Sequence, residues 1–344
     1  MAPLDRGAAL RGRWLVFMAA MLWGTSATLA RFVFRDRHIP ALAVVELRLL
    51  ISVLILGPWL AWRRPQALIV RRADWGYFLV LGLFGVAAVQ GTYYYAISVL
   101  GVGPAILLQY MAPSLIVVYE ALRGTPVRTS TGAAVVAALL GTALLVGGVN
   151  QVALHAGPAQ WAVGFAAAFA FAFYVVFSKR GLDRYAPETV LFYTFLIAAT
   201  FWAIITPPWT IITRGYGPDL WLMFLALGIF STLVPFSFFY AGLRRLPPSE
   251  AGVVATLEPV VAVLSAALFL GEGLGVMQWL GAVLVLAPRR CPRFSVRACS
   301  AHNPSADEGR TRERHCFPVV VDRRPSCALP FNLTRWTGAG ERSA

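Results

Sequence analysis

Two copies of one long apolar pattern occupy most of this chain, offset by about 147 positions. Trp14 and Trp161 each open an apolar run at that offset. Later in each copy, segments 93–113 and 238–259 align with one extra residue in the second. A repeat of this length, built from apolar runs and not from short soluble units, predicts a duplicated membrane bundle.

The composition agrees with a membrane protein. Hydrophobic residues make up 58% of the chain and charged residues 13%, about half the charge of an average soluble domain. A spanning helix needs roughly 20 apolar residues, and backbone groups in lipid must be satisfied within the segment. We therefore predict an all-α, polytopic membrane protein with ten transmembrane helices, the tenth truncated. The apolar runs are 14–34, 40–62, 75–98, 102–122, 131–149, 159–178, 188–207, 218–242, 249–270 and 276–287.

Basic residues concentrate in alternate loops. Because cytoplasmic loops carry the positive excess in membrane proteins, we predict that the N-terminus and the C-terminus are both cytoplasmic. Five helices per copy is an odd number, so the copies, 14–149 and 159–287, are predicted to form an inverted 5+5 repeat. The inner basic residues are Arg6, Arg11, Arg13, Arg63, Arg64, Arg71, Arg72, Arg123, Arg128, Lys179, Arg180, Arg184, Arg244 and Arg245, and the outer ones are Arg31, Arg35, Arg37 and Arg214.

The net charge of +14 does not indicate nucleic-acid binding. Within the apolar part of the chain, the basic excess lies in the inner loops, where topology explains it and anionic lipid adds attraction. Among the basic residues Lys179 is the only lysine. This arginine bias favours a GC-rich bacterial genome and, with the spans, a bacterial inner (plasma) membrane.

The character of the sequence changes at Pro288. The stretch 288–344 is rich in Arg, Pro, Ser and Cys and shows no helical periodicity. The preceding run, 276–287, would be about 18 Å long as a helix, too short for a hydrocarbon core of about 30 Å. The tail is a disordered cytoplasmic extension, a metal site, or the product of a shifted reading frame. Metal-ligand spacing is missing, so no metal is predicted, and the frameshift is favoured over disorder.

The chain resembles the EamA-type members of the drug/metabolite transporter superfamily over about 14–287. The resemblance implies ten helices around a central cavity and alternating-access export of small metabolites or drugs, often against the proton gradient. It implies a small-molecule solute, the lipid bilayer and protons as partners, and no cofactor. The segments that carry it are AAMLWG (19–24), ELRLL (46–50), YYYAISVLGVGPAILLQYMAPSLIVV (93–118), FFYAGLRRLPPSEAGVVATLEPVVAVLSAALFLGE (238–272) and QWLGAVLVLA (278–287).

Three charged residues lie deep inside predicted spans, away from the span ends, where ionisable groups are costly and indicate function. At 1.5 Å per residue, Glu46 lies about 9 Å and Arg48 about 12 Å below the outer membrane edge, and Glu258 about 13 Å from the inner edge. Arg48 is expected to bind a substrate carboxylate or to pair with Glu258, with a purely structural ion pair as the alternative. Glu46 and Arg48 are about 200° apart around one helix, so only one is expected to face a cavity.

Neutral polar and aromatic residues complete the predicted substrate site, with helix packing as the alternative role for the aromatic ones. Pro113 and Pro259 hold equivalent positions in the two copies and are predicted to kink their helices at mid-depth. The candidate residues are Gln109, Tyr110, Tyr94, Gln90 and Trp23.

A membrane enzyme is not expected from this sequence. Its chemistry would need a nucleophile with a base, or metal ligands, inside the membrane. No histidine or cysteine lies in a predicted span, since His38 and His155 fall in outer loops and the others in the tail. A non-transporting receptor or scaffold, or a degraded carrier, is the alternative to a working exporter.

Overall fold

The structure is a computed structural model that describes residues 6–37, 39–125, 129–147, 155–270 and 275–286. Every element of secondary structure in those ranges is helical. The helices are α1 (Arg6–Arg37), α2 (Ala41–Arg63), α3 (Trp75–Val80), α4 (Ala88–Leu100), α5 (Val102–Gln109), α6 (Ala112–Leu122), α7 (Thr129–Val146), α8 (Pro158–Leu182), α9 (Pro187–Ile205), α10 (Pro208–Ile212), α11 (Pro218–Ala226), α12 (Val234–Leu243), α13 (Pro248–Ala255), α14 (Glu258–Leu270) and α15 (Val276–Leu286).

Shorter elements connect some of these helices. A π-helical segment, Leu81–Ala87, joins α3 to α4, and a second one, Leu227–Leu233, joins α11 to α12. Two 3-10 turns, Pro65–Leu68 and Arg72–Asp74, lie between α2 and α3. Consecutive helices that are joined in this way form longer helical segments, which we call columns, such as Arg72–Leu100 and Pro218–Leu243.

Eight of these columns are long and apolar enough to cross a membrane, counted over the described residues. The predicted all-helical, polytopic membrane fold is confirmed, while the count of ten transmembrane helices stays a prediction. The last helix, α15, has 11 residues and ends at Leu286. The tail at 288–344, and with it the choice between a frameshift and a native extension, lies outside the described residues.

Proline and glycine residues set the helix boundaries. Proline is the first residue of α8, α9, α11 and α13, a position where its missing N–H has no helical partner to lose. Gly101 follows α4 with φ of 85°, a left-handed conformation that glycine adopts without strain and that ends helices.

Two irregularities of the fold recur at one spacing. The π-helical segments begin at Leu81 and Leu227, which are 146 positions apart. Two columns are interrupted at the same spacing, α5 from α6 after Gln109 and α13 from α14 after Ala255. The backbone bonds at the interruptions match as well, Tyr110 N to Ile106 O and Thr256 N to Gly252 O. Local distortions therefore follow the sequence repeat.

Close helix packing depends on small residues. Gly141 on α7 and Gly281 on α15 face each other so closely that a Cβ on either would lie 2.8 Å or less from the carbonyl oxygen of the other. Gly24 on α1 faces α14, where a Cβ would lie 2.8 Å from the carbonyl of Glu258. Such contacts are typical of membrane helices, whose backbones approach where side chains are small.

One end of the bundle, where α1 begins, carries ion pairs; we call it the arginine-rich end. Two of these pairs join the N-terminal region (6–147) to the C-terminal region (155–286). Arg13 pairs with Glu250, with Nε and Oε1 2.5 Å apart, and Arg64 pairs with Glu188.

Further contacts join the same two regions at this end. Asp74 accepts hydrogen bonds from Arg184 at 3.2 Å and from the hydroxyl of Tyr185 at 2.5 Å. Burial and the bond to Asp74 raise the pKa of Tyr185, which keeps its hydroxyl a neutral donor. The backbone N–H of Ser249 donates to Glu120 Oε1 at 3.3 Å. Polar contacts thus join the two regions at the arginine-rich end.

Candidate functional site

Arg48 of α2 is buried at the second π-helical segment. Its Nε donates to the hydroxyl of Thr232 at 2.7 Å, and its Nη2 donates to the carbonyl of Ser231 at 3.2 Å. Both partners belong to Leu227–Leu233, and π segments are frequent at functional sites. Gly228 permits the close approach of α2, since a Cβ there would lie 2.6 Å from Ile51. The distorted segment therefore holds the guanidinium in place.

Helix α4 covers the other side of Arg48. Arg48 Nη1 donates to the hydroxyl of Tyr94, and the guanidinium carbon lies 5.5 Å from the centre of that ring. Gln90 lies one turn before Tyr94 on the same face and is buried. Tyr93 packs edge-on against Tyr94, with ring centres 5.6 Å apart.

The two interrupted columns meet at Glu258, the first residue of α14. The hydroxyl of Tyr110, which lies in the gap between α5 and α6, donates to Glu258 Oε2 at 2.6 Å. Pro259 has no N–H to offer the carbonyl of Ala255, and that carbonyl lies 3.4 Å from the Tyr110 hydroxyl. Pro113 follows the first gap in the equivalent place, as the second residue of α6. The interruptions thus bring a buried tyrosine and a carboxylate together.

Arg48 and Glu258 do not form the ion pair that the sequence suggested as one possibility. Neither takes part in any salt bridge found among the described side chains. The N-terminal region supplies Arg48 and the C-terminal region supplies Glu258. The site therefore holds two opposite charges, each bonded to neutral groups.

Glu46 and Gln109 lie apart from these contacts. Glu46 is fully buried on the side of α2 turned away from the partners of Arg48, and neither carboxylate oxygen has a hydrogen-bond partner among the described residues. Gln109 precedes the first gap, and its buried Oε1 likewise has no partner there. Arg48, and not Glu46, is thus the α2 residue in the cluster.

Trp23 of α1 contributes to an aromatic cluster. Its ring centre lies 5.0 Å from that of Phe236 and 5.5 Å from that of Phe239. Gly24, the next residue, touches the backbone of Glu258. Trp23 therefore packs beside the charged site, as aromatic pairs at these distances do in protein cores.

Sequence reasoning did not select Ser231 and Thr232. Two adjacent hydroxyl residues in the middle of the apolar run 218–242 were the available signal. Their importance depends on the π-helical geometry, which sequence periodicity does not reveal. The described residues include no group of three or more His, Cys, Asp or Glu that could hold a metal ion.

Comparison with known proteins identifies similar chains. The model of the EamA-like transporter family matches residues 10–147 and 161–287. The "Uncharacterized inner membrane transporter YicL" of Salmonella typhimurium is 28% identical over 291 residues, covering 82% of this chain and 94% of that protein. The "Threonine/homoserine exporter RhtA" of Escherichia coli is 27% identical over 291 residues, covering 82% and 90%. A solved crystal structure shares the fold, with a TM-score of 0.66, 21% identity and coverage of 82% and 95%.

Proposed function

Because the chain belongs to the EamA-like transporter family, we propose that this multi-pass membrane transporter is a secondary active exporter that moves a small polar solute by alternating access. The observation that carries the proposal is the mid-depth cluster around Arg48 and Glu258, to which both regions of the chain contribute. Buried charges inside membrane spans mark solute pathways. The name of the similar exporter RhtA supports export as the direction.

An inverted repeat of five plus five helices is part of this proposal. The recurrence of π segments and helix interruptions at a spacing of 146 positions, from Leu81 to Leu227, supports two equivalent copies. In inverted repeats, interrupted helices meet at the membrane midplane, where half-helix ends surround the solute. The contact of Tyr110 with Glu258 is a contact between such interruptions.

The arginine-rich end is the cytoplasmic end in our proposal. Its loops hold most of the basic residues that flank the spans, and positive loops stay in the cytoplasm. The polar contacts that join the two regions there, such as Arg13 with Glu250, would then close the site from the cytoplasm. Alternating access requires these contacts to separate when the carrier opens inward.

The proposal is tested by following solutes that leave cells. Bacteria that express the chain, the Arg48→Ala variant or the control variant Arg214→Ala are grown alike, and the medium is analysed by untargeted mass spectrometry. Arg214 is exposed and lies outside the described cluster. We expect at least one small polar solute to accumulate with the wild-type chain and the control but not with Arg48→Ala. Imposing or collapsing the pH gradient then tests coupling to protons.

An unchanged medium in all three strains, with each protein present in the membrane, would contradict export. In that case a receptor or scaffold role, which needs no flux, would replace the carrier. Export that is equal in the wild type and Arg48→Ala would keep transport but move the site away from Arg48.

A further inference from the structure

A cavity of about 160 Å³ lies at the arginine-rich end, between the N-terminal and the C-terminal region. The start of α3, with the residue before it, forms one wall, and the last turns of α8, with the residues that follow, form the other. None of the lining residues belongs to the cluster around Arg48 and Glu258, so the cavity is a separate feature of the fold. The side chains that line it are Asp74, Tyr77, Phe177, Arg180, Arg184 and Tyr185.

Aromatic rings form the wall behind Arg180. Tyr77 stacks on Phe177 with ring centres 4.9 Å apart, and the Tyr77 hydroxyl donates to the carbonyl of Phe177 at 3.0 Å. Gly181 permits this approach, since a Cβ there would overlap the Tyr77 hydroxyl group. The guanidinium carbon of Arg180 lies 5.4 Å from the centre of the Phe177 ring, and this cation–π contact holds the arginine at the wall of the cavity.

The charges of the lining do not balance. The described lining carries two guanidinium groups and one carboxylate. That carboxylate, of Asp74, already accepts hydrogen bonds from Arg184 and from the hydroxyl of Tyr185. Arg180 has no carboxylate at salt-bridge distance among the described side chains, and its Nη2 lies 3.5 Å from the hydroxyl of Tyr119. Since each guanidinium has five N–H donors, a positive charge and several donors are available to a ligand in the cavity.

We infer that this cavity binds a phosphate group, with Arg180 and Arg184 as its cationic partners. A planar guanidinium donates two parallel hydrogen bonds to the oxygens of a phosphate, and such charge-assisted bonds are the strong ones in proteins. A phosphate group can come from the headgroup of an anionic phospholipid or from a soluble phosphate ester. Basic pockets between membrane helices bind lipid headgroups of this kind.

The surface that leads away from the cavity favours the lipid. Phe177, Phe173, Phe169 and Phe165 are spaced four residues apart, so they lie along one face of α8. Phe173 stacks on Phe177 with ring centres 4.9 Å apart, while Phe169 is 61% exposed and Phe165 is also exposed. The stripe is about 18 Å long at 1.5 Å per residue, close to the depth of about 15 Å of one leaflet of the hydrocarbon core. It therefore offers an apolar track to the acyl chains of a lipid whose headgroup occupies the cavity.

Thermal unfolding of the full-length chain in a neutral detergent tests the inference without any measurement of transport. The added probes are phosphatidylglycerol, phosphatidylcholine with the same acyl chains, glycerol 1-phosphate and inorganic phosphate. A ligand that binds the folded protein raises the midpoint of unfolding in a dose-dependent way. We expect phosphatidylglycerol to raise the midpoint saturably and phosphatidylcholine to need a higher concentration, because its choline cation lies near the arginines.

Variants assign the response to the cavity. Arg180→Gln removes a cation that no described carboxylate neutralises, and we expect the half-saturating concentration of phosphatidylglycerol to increase about tenfold, the loss typical of a charged hydrogen bond. Arg63→Gln is the matched control, since Arg63 is exposed at the same end and lies over the ring of Trp62, outside the cavity lining. If Arg180→Gln does not fold, Arg180→Lys keeps the charge without the planar fork and is expected to bind more weakly than the wild type.

Each outcome decides either the site or the source of the phosphate. A response to phosphatidylglycerol that the Arg180 variant weakens and Arg63→Gln does not confirms the site with a lipid headgroup. The same dependence on Arg180 with glycerol 1-phosphate or inorganic phosphate, at equal concentration, confirms the site with a soluble phosphate. An equal response of the wild type, the Arg180 variant and Arg63→Gln, or no response to any probe, overturns the inference. The transport proposal rests on the mid-depth cluster and is unaffected by these outcomes.

Discussion

Charged residues behave differently at two levels of this bundle. At the arginine-rich end, Arg13 pairs with Glu250 and Arg64 pairs with Glu188, across the two regions of the chain. At mid-depth, Arg48 and Glu258 also come from the two regions, yet each is bonded to neutral groups. Opposite charges therefore pair at the end of the bundle and stay separate in its middle.

The two arrangements differ in how far water reaches the charged groups. The side chains of Arg13 and Glu250 are 34% and 31% exposed, and exposed ion pairs contribute only about 0–1 kcal/mol. Such contacts close an end of the protein and separate again at low cost. At mid-depth Arg48 is 5% exposed and Glu258 is half-buried, so water screens these charges less and a counter-charge that reaches them binds more strongly. The end is suited to opening and closing, and the middle to recognition.

The largest expected effect concerns orientation, because the contrast between the two levels depends on the arginine-rich end facing the cytoplasm. All cysteines of the chain lie at 291–344. Once these are replaced, a single introduced cysteine is the only thiol that a reagent can label. We expect Ala159→Cys, at the exposed start of α8, to react with an impermeant thiol reagent added to intact cells, and Gln66→Cys, exposed at the arginine-rich end, to remain unlabelled. Reaction of Gln66→Cys from outside would reverse the orientation.

Removing either mid-depth charge is expected to reduce solute exchange by about 100-fold or more, since the site loses one strong contact and keeps one charge without a counter-charge. The variants are Arg48→Ala and Glu258→Gln, measured by counterflow in liposomes at equal protein content. Because these residues form no salt bridge with any described side chain, we expect no recovery of thermal stability in the double variant.

Recovery of stability in the double variant would instead indicate a structural ion pair. Full exchange by both single variants would remove Arg48 and Glu258 from the site. Loss of both proteins from the membrane would indicate that the charges serve folding.

Locking the arginine-rich end is expected to slow exchange by about tenfold or more, because gating at that end would become the limiting step. Arg13→Cys and Glu250→Cys are joined by a short bifunctional thiol reagent in the background without other cysteines. A matched control joins Lys179→Cys to Asp183→Cys, an ion pair between the last turn of α8 and the residue that follows it, at the same end. A reducible linker should restore exchange, and unchanged exchange in the locked protein would show that this end need not open.

Weakening the ion pair of Arg13 with Glu250 has the smallest expected effect, a modest increase in the opening of the arginine-rich end. Glu250→Gln removes a pair that stabilises the closed end by about 1 kcal/mol at most, so opening should increase by about fivefold or less. The readout is the reactivity of Thr256→Cys, which is 1% exposed beside the second helix interruption, toward a thiol reagent from the cytoplasmic side. Asp183→Asn serves as the control. If Glu250→Gln leaves the reactivity of Thr256→Cys unchanged, the Arg13–Glu250 pair has no role in closing this end.

The sequence by itself determined the family and the all-helical membrane fold, while the depth of the charged residues in the membrane stays a prediction. These properties depend on local quantities, such as the length of an apolar run and the rise per residue. Pro113 and Pro259 were predicted to kink their helices because proline lacks an N–H, and the two helix interruptions lie just before them. The transport role of Arg48 and Glu258 stays a prediction.

Only the tertiary structure decided which charges come together. It turned Arg48 toward the π-helical segment and left the carboxylate of Glu46 buried without a hydrogen-bond partner among the described residues. It also left Arg48 and Glu258 without a salt bridge to each other. The rotation of a helix about its axis depends on which neighbour it packs against, as the close contact of Ile51 with Gly228 illustrates. A π-helical turn is likewise a response to packing that periodicity does not encode. These are long-range properties, and residues far apart in the chain set them jointly.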